Sequence, residues 1–153
     1  MYIYWIKTFL VAGMALFFTI VAFTNIVDYN TNWLFVKHVL SMDKTFHSPH
    51  LMGRAITNQS IQHFGYFLII LTEALTAVFC WLGAYKLLKD HTKKIALLGL
   101  ALGFLLYFVG FCVIASEWFV MWQAAKWNGQ VKAYLFCSII LLIMIFINQN
   151  EKT

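Results

Sequence analysis

The chain has 153 residues, 62% of them hydrophobic, 18% aromatic and 11% charged, with a net charge of +5; its mean hydropathy is +0.76 and its sequence pI about 9.2. Soluble domains run nearer half apolar and a quarter charged, and so short a chain has too much surface to hide this many apolar side chains from water. That excludes a soluble globular enzyme and a disordered chain, and the scattered Lys and Arg form no nucleic-acid patch, so the basic excess reads as membrane topology and lipid-headgroup contact.

Four apolar segments reach the ~20 residues that a helix needs to cross a ~30 Å hydrocarbon core: Ile3 to Val27, Phe64 to Leu88, Ile95 to Trp122 and Val131 to Ile147. In lipid, backbone polar groups must be satisfied within helices, and none of the segments alternates as barrel strands do. The expectation is an all-α integral membrane protein: one domain over residues 1–153, folded as an antiparallel four-helix transmembrane bundle.

The first segment carries Thr8, Ala12, Ala15, Thr19 and Ala22 on one face, a stripe of small residues suited to close helix packing. It is too long for a cleavable signal and lacks a basic leader; Tyr2, Tyr4 and Trp5 read as an interfacial belt. The connection from Asp28 to His63 is long and not empty. Trp33, Leu34, Phe35, Val36, Val39 and Leu40 crowd one stretch, which predicts a short helix started by an Asn30 or Asn32 cap. It would lie at the outer membrane interface or fold onto the bundle, and Leu51 to Ile56 is read the same way. Asn58-Gln59-Ser60 matches a glycosylation sequon, which matters only in a secretory pathway.

The second-to-third connection holds Lys86, Lys89, Asp90, His91, Lys93 and Lys94. That density predicts a cytoplasmic loop, hence cytoplasmic termini and an outer loop at 28–63. In the third segment Gly99, Gly103 and Gly110 form a small-residue line that Glu117 continues one heptad later. The fourth, rich in Ile, Leu and Phe, is expected to face lipid or a partner. Cys80, Cys112 and Cys137 fall inside apolar runs and read as buried small hydrophobes. Pro49 lies outside every segment, so no proline kink is expected.

The polar residues of the segments carry the functional question. Glu73 lies about ten residues, roughly 15 Å, into the second segment, which places it near the bilayer middle. Glu117 sits near the outer end of the third. Charges in such places face the interior, pair or stay protonated. His63, Tyr66, Glu73 and Thr76 recur at helical spacing, while Asn25, Asp28, Arg54, Trp118, Gln123 and Asn128 are expected to converge with Trp127 on the outer side. Arg54 is the only arginine, and its planar fork suits carboxylates. It is expected to fold over the bundle mouth and pair with Asp28 or Glu117, with Glu73 held by Tyr66, Thr76 or a neighbouring helix. Three readings follow: a structural clamp on the outer loop, a cleft for a lipid, quinone or another membrane subunit, and proton- or cation-coupled transport through Glu73. Transport is weakened by the lack of an internal repeat.

His47 and His50, near Met42, Asp43 and Met52, have metal-capable chemistry, but the spacing crosses Pro49 and a loop accident is the simpler account. His38 and His63 lie at or outside the interface, where a transmembrane haem would not place its ligands. Ser41, Ser60, Ser116 and Ser138 have no nucleophile elbow, and no phosphate-binding glycine loop is present. No metal, cofactor or catalytic residue is assigned.

The run from Asn32 through Trp33, His38 and Met42 to Asp43, then Arg54-Ala55-Ile56, Glu73-Ala74-Leu75-Thr76, and Glu117-Trp118-Phe119-Val120-Met121-Trp122-Gln123 with Trp127-Asn128-Gly129, together resemble the bacterial family of predicted small integral membrane proteins, the domain of unknown function 2165. The resemblance covers nearly the whole chain and implies a four-helix inner-membrane protein; it implies no reaction. His47 and His50 stand outside the pattern. Read from the residues alone, Trp118, Trp122 and Trp127 suit an interfacial girdle. The expected function is non-enzymatic: an accessory protein that binds a partner subunit or lipid-like ligand beneath an ordered outer cap. The alternative is a small proton- or cation-coupled transporter or channel using Glu73.

Overall fold

The computed structural model of the chain describes residues 2–149, and among these every regular element is helical. Helix α1 (Tyr2–Val27), α2 (Tyr29–Ser41), α3 (Gln59–Asp90), α4 (Lys94–Leu105) and α5 (Gln130–Asn148) follow in order, with 3₁₀ turns at Met52–Arg54 and Met121–Gln123. The α4 helix continues without a break as a π-helix over Leu106–Trp118, so four spans are long and apolar enough to cross a membrane.

The bundle is built by α1 packing along α3, α3 along α4, and α5 against α4 and its π continuation. Its core runs through Val11, Ala15, Phe18, Cys80, Leu100 and Ile140, all fully buried. Small residues set the approach of α3 and α4: a Cβ on Gly83 would fall on the Ala96 backbone, and one on Gly99 would lie 2.8 Å from the Cys80 Sγ. On α1, Thr8, Ala15 and Ala22 of the expected small-residue stripe are buried, whereas Thr19 is exposed.

The glycine line of the third span breaks where the π-helix begins. In a π-helix each N–H reaches back five residues rather than four, so a turn holds more residues than the 3.6 of an α-helix and a heptad no longer returns to the same face. Gly103 is buried against Phe18, while a Cβ on Gly110 would meet only Leu106 of its own helix. Glu117, expected on the same line, is turned outward and exposed.

Several boundaries differ from expectation. The third span ends at Trp118 rather than Trp122, because Val120 adopts a left-handed backbone (φ 46°). Helix α3 starts at Gln59, five residues before the apolar run, because the Asn58 side chain accepts from the Ser60 and Ile61 N–H groups. For α2 the capping position is Asp28, without a side-chain cap bond; Asn30 and Asn32 lie inside the helix. The expected helix at Leu51 to Ile56 is only the Met52–Arg54 turn.

At 32 residues, α3 measures about 48 Å, more than a ~30 Å hydrocarbon core, and its first turns project past the end of α1. Helix α2 lies across that projection. Tyr29 and Leu40 are about 16 Å apart along α2, yet Tyr29 bonds His63 and Leu40 abuts Gly65, so α2 crosses α3 as a roof. A backbone bond from Ile56 N–H to the Leu40 carbonyl (2.8 Å) secures its far end.

At the opposite end the two termini of the described chain meet. Lys7 is buried, and its Nζ donates to the carbonyls of Ile147 (3.3 Å) and Gln149 (2.8 Å). Lys93 Nζ donates to the same Gln149 carbonyl at 2.5 Å. Carbonyls at a helix C-terminus are unpaired and carry partial negative charge, which is what an ammonium in an apolar bundle requires.

Candidate functional site

Asn25, in the last turn of α1, is the hinge of the polar cluster. Its Nδ2 donates to Glu73 Oε2 at 2.7 Å, and its backbone carbonyl accepts from the Tyr66 hydroxyl at 3.1 Å. Tyr66 and Glu73 are seven residues apart, two turns on one face of α3, and both are buried. Glu73 is therefore held by a neighbouring helix. Tyr66 bonds the Asn25 backbone rather than the carboxyl, and the Thr76 hydroxyl, fully buried, has no hydrogen-bond partner.

The bond to Asn25 also fixes the depth of Glu73. Asn25 is two residues from the end of α1, about 3 Å along its axis. Glu73 thus lies level with the last turn of α1, at the end of that helix nearest α2.

Above this cluster the roof is tied down by aromatic rings. Tyr29 donates to or accepts from His63 Nδ1 at 2.8 Å and packs on Tyr66 at 4.7 Å. Trp33 stacks flat on His63 at 4.4 Å. Further along α2, His38 Nδ1 meets both Asp43 carboxylate oxygens at 2.9 Å and its ring stacks on Trp127 at 4.5 Å. Partial burial pushes the Asp43 carboxyl up, but the His38 ring, the Ser41 hydroxyl and Lys44 outweigh it and hold the group below its ordinary 3.8.

The expected arginine clamp does not form. Among the described residues Arg54 pairs with neither Asp28 nor Glu117: its Nη1 donates to the Trp118 carbonyl at 3.3 Å, and the guanidinium sits over the Trp118 ring at 4.5 Å. Such cation–π packing needs no carboxylate. Glu117, turned aside by the π winding, accepts instead from Gln130 Nε2 at 3.3 Å. Asp28 is exposed at the α1–α2 junction. Gln123 Oε1 accepts from the Phe46 N–H, the Phe46 ring meets Trp122 edge-on, and Asn128 Oδ1, just before α5, accepts from the Gln130 N–H. His47 and His50 are exposed in the loop.

A cleft of about 450 Å³ opens between α1, α2, α3, the π segment and α5, and it reaches Asn25, Tyr66 and Glu73. Of the residues singled out in the sequence, Asn32, Trp127 and Asn128 also line it. Asp28, His38, Asp43, Arg54, His63 and Thr76 do not, nor do Glu117, Trp118, Trp122 and Gln123. The structure adds aromatic walls from Phe35, Tyr107, Phe111 and Phe136, and two lysines, Lys126 and Lys132. A second, apolar cavity of about 220 Å³ lies beside it, under the far half of α2. The two share Phe35, Val36, Ile69 and Phe111 as a common wall.

Residues 3–150 match the family described as "Predicted small integral membrane protein (DUF2165)". The chain belongs to this DUF2165 family. The match and the four apolar spans make it an integral membrane protein. No curated protein and no solved structure matches it, so its family description carries no reaction or ligand.

Proposed function

We propose that this chain is a small, non-enzymatic accessory protein of the bacterial inner membrane that holds a lipid-like ligand in the cleft beneath α2. The supporting observation is the cleft itself. Its walls are aromatic and apolar, and it reaches a buried hydrogen-bonded pair, Asn25 and Glu73. Ligand sites combine a mostly apolar concavity with a few placed polar groups. The basic α3–α4 connection favours cytoplasmic termini, which puts α2 and the cleft on the outer side. A lysine reagent kept outside the cell is then expected to label Lys44 and Lys126 but not Lys89 or Lys94; the reverse pattern would invert the topology.

Extraction in native polymer discs tests the ligand reading. The protein is expected to retain a defined lipid at fixed stoichiometry, and Val21→Trp, which places an indole in the cleft, is expected to release it. Equal lipid content in both proteins would refute the assignment.

A proton- or cation-coupled transporter is the second reading, favoured by a carboxyl that borders a cleft. Fully buried Phe18, Thr76, Cys80 and Leu100, on the termini side of Glu73, weigh against a continuous path. A flux in proteoliposomes that Glu73→Gln abolishes would restore it.

A further inference from the structure

The arrangement of charge in the cleft narrows the ligand class, resting on the lipid-binding reading above. We propose that the two adjoining cavities form one site for an amino-phospholipid. Its primary ammonium approaches Glu73, its phosphodiester is held by Lys126 and Lys132, and hydrocarbon fills the apolar cavity beyond Phe35 and Phe111.

Three observations carry this. First, the cleft presents both signs of charge. Glu73 is 4% exposed, while Lys126 and Lys132 are exposed lining residues. A purely anionic headgroup offers nothing to Glu73, and a simple cation offers nothing to the lysines; a zwitterion with phosphate and amine uses both. Second, a carboxyl group can take more than one donor, and among the described residues Glu73 takes one hydrogen bond, from Asn25. A primary ammonium brings three N–H donors, whereas a trimethylammonium brings none. Third, the apolar cavity adjoins the cleft and shares Phe35, Val36, Ile69 and Phe111 with it, which sets an apolar space for a chain beside the polar space for a headgroup. Trp127, whose ring stacks on His38 and lies under the Lys126 ammonium, is of the residue type that suits a headgroup region.

The headgroup series decides it. The full-length protein, delipidated in detergent, is titrated with phospholipids of identical chains bearing ethanolamine, choline or glycerol headgroups, and with glycerophosphoethanolamine lacking chains, and followed by native mass spectrometry. The ethanolamine lipid is expected to bind about tenfold more tightly than the choline and glycerol lipids. Glu73→Gln is expected to bring the three within about threefold of one another, and Lys126→Ala with Lys132→Ala to weaken all three alike. Equal binding of ethanolamine and glycerol lipids by the unsubstituted protein overturns this inference but leaves the lipid-binding reading standing. Equal binding of the choline lipid overturns the hydrogen-bonding ammonium. If the chainless headgroup binds as tightly as the lipid, the site takes a free phosphoamine and the apolar cavity has no part in it. Absence of binding by any lipid overturns both proposals. Because these outcomes are read on the unsubstituted protein, the test holds even if Glu73→Gln fails to fold.

Discussion

Asn25 gives one hydrogen bond and receives another, and the two sustain different neighbours. Its side chain holds Glu73, while its backbone holds Tyr66. Asn25→Ala therefore leaves the Tyr66 bond in place but strips a buried carboxyl of its donor. The expected loss is about 1–3 kcal/mol, the cost of an unsatisfied buried polar group, read as a lower unfolding temperature in detergent. Tyr66→Phe removes one neutral bond and is expected to cost about 1 kcal/mol; equal effects would mean the carboxyl has other support. Asp43 supplies a pH prediction. A carboxyl held below its ordinary 3.8 stabilises the fold fully above its unfolded pKa, and the contribution is lost as pH falls through the lowered folded value. Hydrogen exchange around residues 41–46 should quicken only below about pH 4; protection that is unchanged on acidification through that range would show that the Asp43 carboxylate does not hold the segment. At this scale the sequence shows which polar residues are out of place in lipid, and Glu73, Tyr66, Asn25 and Asn128 do meet one cleft. It does not show their partners. Arg54 has two acidic candidates by charge alone, yet stacks on Trp118, because the direction of Glu117 depends on how the chain winds between residues 106 and 118.

That winding is the main surprise among the elements. Hydropathy finds the third span, and its small residues at Gly99 and Gly103 do mark the packed face. Spacing rules presuppose 3.6 residues per turn, so they fail beyond Leu105, and Gly110 and Glu117 leave the line. A glycine packed at the α3–α4 contact and Gly110 should then respond differently to a methyl group. Gly83→Ala drives a Cβ into the Ala96 backbone, and overpacking of that kind costs about 1–3 kcal/mol. Gly110→Ala meets open space beyond Leu106 and should stay within about 1 kcal/mol of the parent. Paired thermal-shift measurements compare them; similar losses would show that Gly110 is packed after all. Helix α2 was legible as a helix from its crowded apolar residues. Its course across α3 was not, because it depends on α3 beginning at Gln59 behind the Asn58 cap, and that side chain reads equally well as part of a sequon.

For the whole molecule, composition is decisive about the solvent, and four long apolar runs without strand alternation decide the helix count, since only helices and closed barrels satisfy a backbone in lipid. How the first and last spans are joined is hidden. Lys7 sits within an apolar run and finds backbone carbonyls, which leave no mark in a sequence. Lys7→Met removes the charged donor and should cost about 1.5–3 kcal/mol, with faster exchange over residues 140–149; unchanged protection there would make the contact incidental. The same contact bears on how the protein is made. The two carbonyls that receive the ammonium are synthesised some 140 residues after it, so during translation the first span reaches the translocon before its anchor exists. The final span then acts as the latch of assembly, and a nascent chain cut short before it should be recognised by membrane quality-control proteases as unfinished.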